Sequence, residues 1–309
     1  MINPQLLPFL AAWEKAWAPL PATATPQQRH RYFLGIAATM RLPNPDGVEA
    51  TEYQVPFEKR TVRVVAYRHR DAPANADCLV YMHGGGWMQG SPETHCDITS
   101  RIAADNKQLV ISVDYALAPE HVFPTALHEC RAVVLWAKSQ SAALRIDPNR
   151  LAIGGDSAGG NLAAALAIAL RGTTTQVTAQ LLIYPAVDFT GHYPSLDENI
   201  DGPIIKGGAR TMSNVRNLYC PNEAEFTNPL VAPLHAKDHR NLPPAYIAVA
   251  EHDPLRDEGR AYAKVLIDAG VPVVLDQGKS LFHGYLRSMG YGDSARTRLR
   301  QMSAWLRSQ

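Results

Sequence analysis

Five residues combine the types and spacing needed for chemistry: Gly155-Asp156-Ser157-Ala158-Gly159. They fit Gly-x-Ser-x-Gly, in which a serine stands at the tip of a sharp strand-to-helix turn. Glycines flank it because a strand reversing directly into a helix leaves no room for a β-carbon. The apolar run Leu151-Ala152-Ile153 predicts the strand, and Asn161 to about Leu170 predicts a helix apolar on nearly every face, hence buried. A hydroxyl at that tip sits above the N–H groups of a helix start, which favour a developing negative charge.

A serine hydroxyl is a weak nucleophile and needs a base, and the base needs an orienting group. In parallel α/β sheets functional groups gather where strands end. Of the eleven histidines, His283 alone lies just past the last expected strand, in Phe282-His283-Gly284-Tyr285. For the acid, Asp253 follows the strand Ala245 to Ala250, and Asp188, just past the preceding strand, competes with it. Glu251 still belongs to the strand on this reading, and Asp257 and Glu258 open the next helix, where carboxylates complement the dipole. The order Ser157, Asp253, His283 suits a serine–acid–histidine arrangement.

Acyl transfer also needs donors for the oxygen that becomes charged. His83-Gly84-Gly85-Gly86-Trp87 follows the strand Cys78 to Met82 and offers three N–H groups unshielded by side chains, with Ala158 adding a fourth. His83 is expected to shape this loop by hydrogen bonding. A phosphate loop is a poor fit, since no Gly-Lys-Ser/Thr follows. Trp87, Met88, Leu255, Phe282, Tyr285, Ile204 and Ile205 are candidates to line a substrate pocket, and equally for the core. No metal or cofactor is expected: His128-Glu129 opens a zinc-protease-like string, but Ala132 occupies the second histidine position.

These residues need a frame. Tyr53–Phe57 and Thr61–Tyr67 alternate like a hairpin, after which helices and strands alternate: helix Thr94–Asp105, strand Leu109–Val113, helix Pro124–Lys138, strand Gln180–Tyr184. After residue 234 come the strand Ala245–Ala250, helix Arg256–Ala269, strand Val271–Leu275 and helix Ser294–Leu306. The pattern predicts a mostly parallel sheet covered on both faces. Residues 191–233, rich in glycine and proline, are too long for a plain connection and read as an insertion. Residues 1–47 are helical and proline-punctuated; the first twenty carry Pro4, Pro8, Glu14 and Lys15 and read as an amphipathic helix rather than a leader.

The chain has 309 residues, 46% hydrophobic and 19% charged, with net charge +1 and no basic block, so nucleic acid and anionic membranes are poor partners. No stretch is apolar for the roughly 18 residues of a membrane span. Four cysteines, Cys78, Cys96, Cys130 and Cys220, form no Cys-x-x-Cys pair, which fits a reducing, cytoplasmic setting.

With Asp114-Tyr115-Ala116-Leu117-Ala118-Pro119-Glu120-His121 and Asp253-Pro254-Leu255-Arg256-Asp257-Glu258-Gly259 added to the three stretches above, the chain resembles the hormone-sensitive lipase-like esterases (bacterial family IV) of the α/β-hydrolase fold. The resemblance implies an eight-stranded, mostly parallel sheet flanked by helices. It implies a catalytic domain of residues 48–190 and 234–309, with 1–47 and 191–233 forming a helical cap. It further implies hydrolysis of short- to medium-chain carboxylic esters by Ser157, Asp253 and His283, with Gly84, Gly85, Gly86 and Ala158 as oxyanion hole, and a possible homodimer through the last strand. Ala116 departs from the arginine common at that place. An amidase, arylformamidase or lactonase would use the same machinery, whereas a small-molecule receptor of this fold would have lost one of the three residues.

Overall fold

The computed structural model describes all 309 residues and is built on one eight-stranded sheet in the order β1-β2-β4-β3-β5-β6-β7-β8. The strands are β1 Val48–Phe57, β2 Arg60–His69, β3 Ala76–Met82, β4 Leu109–Val113, β5 Ile146–Asp156, β6 Gln180–Ile183, β7 Ala245–Ala248 and β8 Val273–Asp276. β1 and β2 form the expected hairpin, and β2 also runs antiparallel to β4; every other pairing is parallel. The helices are α1 Leu7–Trp17, α2 Pro26–Met40, α3 Cys96–Asn106, α4 Thr125–Ser139, α5 Ser141–Leu144, α6 Ala158–Leu170, α7 Pro194–Glu198, α8 Gly208–Tyr219, α9 Arg256–Asp268 and α10 Asp293–Arg307.

Alternation along the strands splits the core in two. Cys78, Val80 and Met82 of β3 face a layer with α4, α6 and α9, while Leu79 and Tyr81 face one with α3, α10, α1 and α2. A period of two on a sheet covered on both sides leaves β4 buried throughout and β3 buried at every position but Asp77. α6 is buried on almost every face, as its composition predicts.

Several boundaries differ from the sequence reading: β1 starts at Val48 rather than Tyr53, β5 at Ile146 rather than Leu151, and β7 ends at Ala248 rather than Ala250. α6 begins at Ala158 rather than Asn161, so the glycines after Ser157 already lie in its first turn. The last strand starts at Val273 because the Val271 N–H is spent on the Leu266 carbonyl at the end of α9.

Residues 1–47 hold α1 and α2. Thr25 opens α2 with a reciprocal cap, its hydroxyl accepting the Gln28 N–H while the Gln28 side chain accepts the Thr25 N–H. Residues 191–233 hold α7 and α8, whose Leu196, Met212 and Tyr219 join the core layer of α4, α6 and α9. The two segments meet where Lys206 pairs with Glu14 at 2.9 Å. No helix is long and apolar enough to cross a membrane.

Candidate active site

Ser157 stands between the end of β5 and the start of α6 with φ 56° and ψ −118°, a conformation that strains any side-chain-bearing residue. The turn survives because its neighbours have no β-carbon: one built on Gly159 would lie 2.0 Å from the Met82 carbonyl oxygen. The Ser157 N–H is held by the Ile183 carbonyl at 2.8 Å, tying the elbow to β6.

The loops after β7 and β8 carry the other two groups. A parallel bridge between His252 and Phe282 holds these loops side by side, with the His252 N–H on the Leu281 carbonyl at 2.8 Å. This juxtaposition brings Asp253 and His283 together: His283 Nδ1 donates to Asp253 Oδ2 at 2.8 Å, and Nε2 lies 3.0 Å from Ser157 Oγ. With the acid ionised, Nδ1 carries the proton and Nε2 is left to accept the serine hydroxyl. Asp253 is wholly buried, and its other oxygen accepts the Leu255 N–H at 2.8 Å, which locks the carboxylate plane.

Asp188, the competing acid, is committed elsewhere. It accepts the Thr190 N–H and hydroxyl, the Tyr193 hydroxyl at 2.6 Å and His235 Nε2 at 2.8 Å. Burial alone would raise its pKa, but these donors hold it down to about 2. Glu251 lies beyond β7 rather than within it, and accepts the Ser280 N–H. Glu258 pairs with Arg216 of α8 at 2.7 Å, both buried.

The glycine loop departs from expectation at Gly84. Its N–H donates to Asp156 Oδ1 at 2.9 Å and is not free for a substrate oxygen. The N–H groups of Gly85 and Gly86 meet no such acceptor, and that of Ala158 opens α6, where helical N–H groups have no intrahelical partner. His83 shapes the loop as its position implies: Nδ1 donates to the Gly84 carbonyl at 3.0 Å, and its ring stacks on Tyr115 at 4.3 Å. Burial pushes its pKa down to about 3, so it stays neutral.

The proposed pocket residues separate. Trp87 is buried and stacks on Tyr219 of α8 at 4.6 Å. Leu255 is buried in the same layer, and Ile205 and Met88 are half-buried. Phe282 and Tyr285 have no exposed surface; their rings pack on Phe9 and Tyr184, which puts them in the core on the α1 side. Ile204 packs toward that layer as well. Sequence reasoning missed Val215 of α8, whose Cγ1 is 2.7 Å from where a β-carbon on Gly86 would be. It also missed Asp156 as the acceptor for Gly84, although the residue lies inside the serine motif. Ala116, the departure from the family pattern, donates its N–H to Glu129, and Arg60 of β2 supplies the cation on that carboxylate at 2.6 Å.

Comparison with known proteins identifies the family and the fold. The profile of the Abhydrolase_3 family, described as of the alpha/beta hydrolase fold, matches residues 79–287. The chain is 39% identical over 220 residues to the esterase LipI of Mycobacterium tuberculosis, spanning 70% of this chain and 68% of that one. It is 39% identical over 215 residues to an arylesterase of Saccharolobus solfataricus, spanning 69% and 70%. The crystal structure of EstE1, a thermostable carboxylesterase from a metagenomic library, superposes with a TM-score of 0.88 at 34% identity, covering 94% of this chain and 99% of that one. The chain therefore belongs to the hormone-sensitive lipase-like carboxylic ester hydrolases of the α/β-hydrolase fold.

Proposed function

We propose that this protein hydrolyses carboxylic esters of short to medium acyl length through an acyl-enzyme on Ser157. The observation that carries the reading is the unbroken chain of contacts from Asp253 to His283 to Ser157 Oγ, at 2.8 and 3.0 Å. Ser157 Oγ attacks the ester carbonyl as its proton passes to His283 Nε2. The carbonyl oxygen takes the negative charge among the N–H groups of Gly85, Gly86 and Ala158. The C–O bond to the alcohol then breaks, and His283 returns the proton to the departing oxygen. Water adds to the acyl-enzyme by the same route and releases the acid. Asp253 orients the imidazole and stabilises its charged form.

Residues 1–47 and 191–233 form the cap over this site, a role supported by Val215 abutting the glycine loop and by the Lys206–Glu14 contact. The free edge of β8, with Val274 exposed, is the surface through which a homodimer would form. Four unpaired, buried cysteines support a cytoplasmic protein, and a net charge of +1 argues against nucleic acid as a partner.

Ser157→Ala is the decisive test. Purified variant and parent are compared on 4-nitrophenyl esters of increasing chain length. The reading requires the variant to lose nearly all turnover while keeping its melting temperature, and the parent to favour the shorter esters. Substantial turnover by the variant would place the nucleophile elsewhere.

A further inference from the structure

Arg287 lies four residues after His283, in the single turn Tyr285–Ser288. Its guanidinium sits where three parts of the active-site wall converge. Nη1 donates to the Thr94 carbonyl at 3.1 Å, and Nη2 donates to His95 Nε2 at 2.6 Å. The group also faces the rings of Phe33 on α2 at 4.7 Å and Trp13 on α1 at 5.9 Å. The same His95 Nε2 is 3.3 Å from Asp156 Oδ2. The second oxygen of Asp156 accepts the Gly84 N–H at 2.9 Å and the Tyr81 hydroxyl at 2.8 Å. A continuous line thus runs from Arg287 through His95 and Asp156 to the first residue of the glycine loop.

The hydrogen bonds assign the proton on His95. A guanidinium has donors only, so Nε2 must offer its lone pair. The other ring nitrogen agrees. Thr94 Oγ1 gives its own proton to the Ser91 carbonyl at 2.8 Å, so at 2.7 Å it accepts from His95 Nδ1–H. His95 is therefore neutral, and its Nε2 and Asp156 Oδ2 face each other as two acceptors. The positive charge of Arg287 beside both makes that arrangement tolerable.

We infer that Arg287 is a positioning residue of this active site: by occupying His95 Nε2 it keeps the imidazole neutral, balances the Asp156 charge, and so holds Gly84 where Gly85 and Gly86 can meet the substrate oxygen. This rests on the acyl-transfer reading above. Because Phe33 and Trp13 cover the same guanidinium, the geometry of the glycine loop also depends on how α1 and α2 are seated.

Removing the guanidinium has a distinctive consequence. His95 Nε2 then stands beside an unbalanced carboxylate, and the available remedy is to take up a proton and pair with Asp156 as imidazolium. The ionisable groups facing His95 are His83 from the β3 loop, with ring centres 5.4 Å apart, Asp156 from β5, and Arg287 itself. Glu93 and Asp97 of the neighbouring residues are turned to Arg63 and to the Leu42 N–H instead. His83 stays neutral, so without Arg287 the charge on Asp156 is balanced only while His95 is protonated. A variant lacking the guanidinium acquires an alkaline loss of activity that the parent lacks.

The test compares parent, Arg287→Met and Arg287→Lys on 4-nitrophenyl butyrate across the pH range in which the parent is active. Arg287→Met is expected to lose about ten- to a hundredfold in kcat with KM within about threefold of the parent, and to decline further as pH rises. Arg287→Lys, which keeps a cationic donor, recovers most of kcat and removes the alkaline decline. If Arg287→Met does not accumulate folded, Arg287→Gln, which retains a donor for the Thr94 carbonyl but no charge, carries the same two readouts. A variant whose kcat and pH profile match the parent's, even with a lower melting temperature, would show Arg287 to be purely structural and overturn the inference. Ser157→Ala assayed alongside separates the two levels: turnover surviving in it removes the acyl-transfer reading itself, whatever Arg287 does.

Discussion

The Asp156 carboxylate, one residue before the Ser157 hydroxyl in the chain, accepts the N–H of Gly84 from the adjacent loop at 2.9 Å. One side chain thereby joins the turn that carries the serine to the loop proposed to hold the oxyanion. Asp156→Ala leaves the buried Gly84 N–H and Tyr81 hydroxyl without this acceptor. The expected cost is about 1–3 kcal/mol of stability for each donor left unpaired. It should be accompanied by a fall in kcat with KM little changed. Urea unfolding and steady-state kinetics on one preparation would check both, and an unaltered kcat would mean that the loop holds its shape without Asp156.

Gly86 has φ +61°, and a β-carbon there would come within 2.7 Å of Val215 Cγ1. Gly86→Ala should therefore rotate the peptide out of line and lower kcat by about 10²–10³, the cost of losing one oxyanion donor. Adding Val215→Ala relieves the clash but not the backbone strain, so the double variant should recover only part of the loss. Full recovery would identify sterics against α8 as the whole effect.

Asp253 and Asp188 should behave oppositely. Asp253→Asn is expected to lower turnover by about 10⁴, through the wrong imidazole tautomer, with the fold preserved. Asp188→Asn should leave turnover near the parent's, and a collapse of rate in it alone would reverse the assignment.

The same Asp188 variant tests a pH dependence of stability. The folded pKa of Asp188, held down to about 2, lies below the ordinary carboxylate value of about 3.9. A depressed pKa contributes stability that is fully present above the unfolded value and is lost as pH falls toward the folded one. The parent should thus exceed Asp188→Asn by about 2 kcal/mol or less near neutrality, and the gap should close between about pH 4 and about pH 2. A gap that stays constant over that interval would show that its hydrogen bonds do not favour the ionised form.

Much of the site was legible in the chain because each principal residue sits next to a local signal. The serine lies between glycines after an apolar run, and Asp253 and His283 each follow a strand marked by its own composition. Parallel strands then deliver those residues to one edge of the sheet, so sequence order translates into spatial proximity. The all-round apolar character of α6 likewise announced its burial.

Other features depend on which surfaces meet. Asp188 and Asp253 both follow strands, and only the neighbours of each carboxylate separate them: Thr190, Tyr193 and His235 surround one, and the His283 imidazole meets the other. Gly84 looks the same as Gly85 and Gly86 in the chain, yet its N–H is spent on a residue 72 positions away. Arg287 and His95 are 192 residues apart, and Arg216 and Glu258 are 42 apart. Sequence alone determined the alternation of elements, the serine turn, and the histidine and candidate carboxylates that follow strands, because periodicity and turn chemistry are local. Tertiary structure decided which carboxylate reaches the imidazole, which N–H groups remain free and what braces them, because hydrogen-bond partners are chosen by packing between distant segments and leave no periodic trace in the chain.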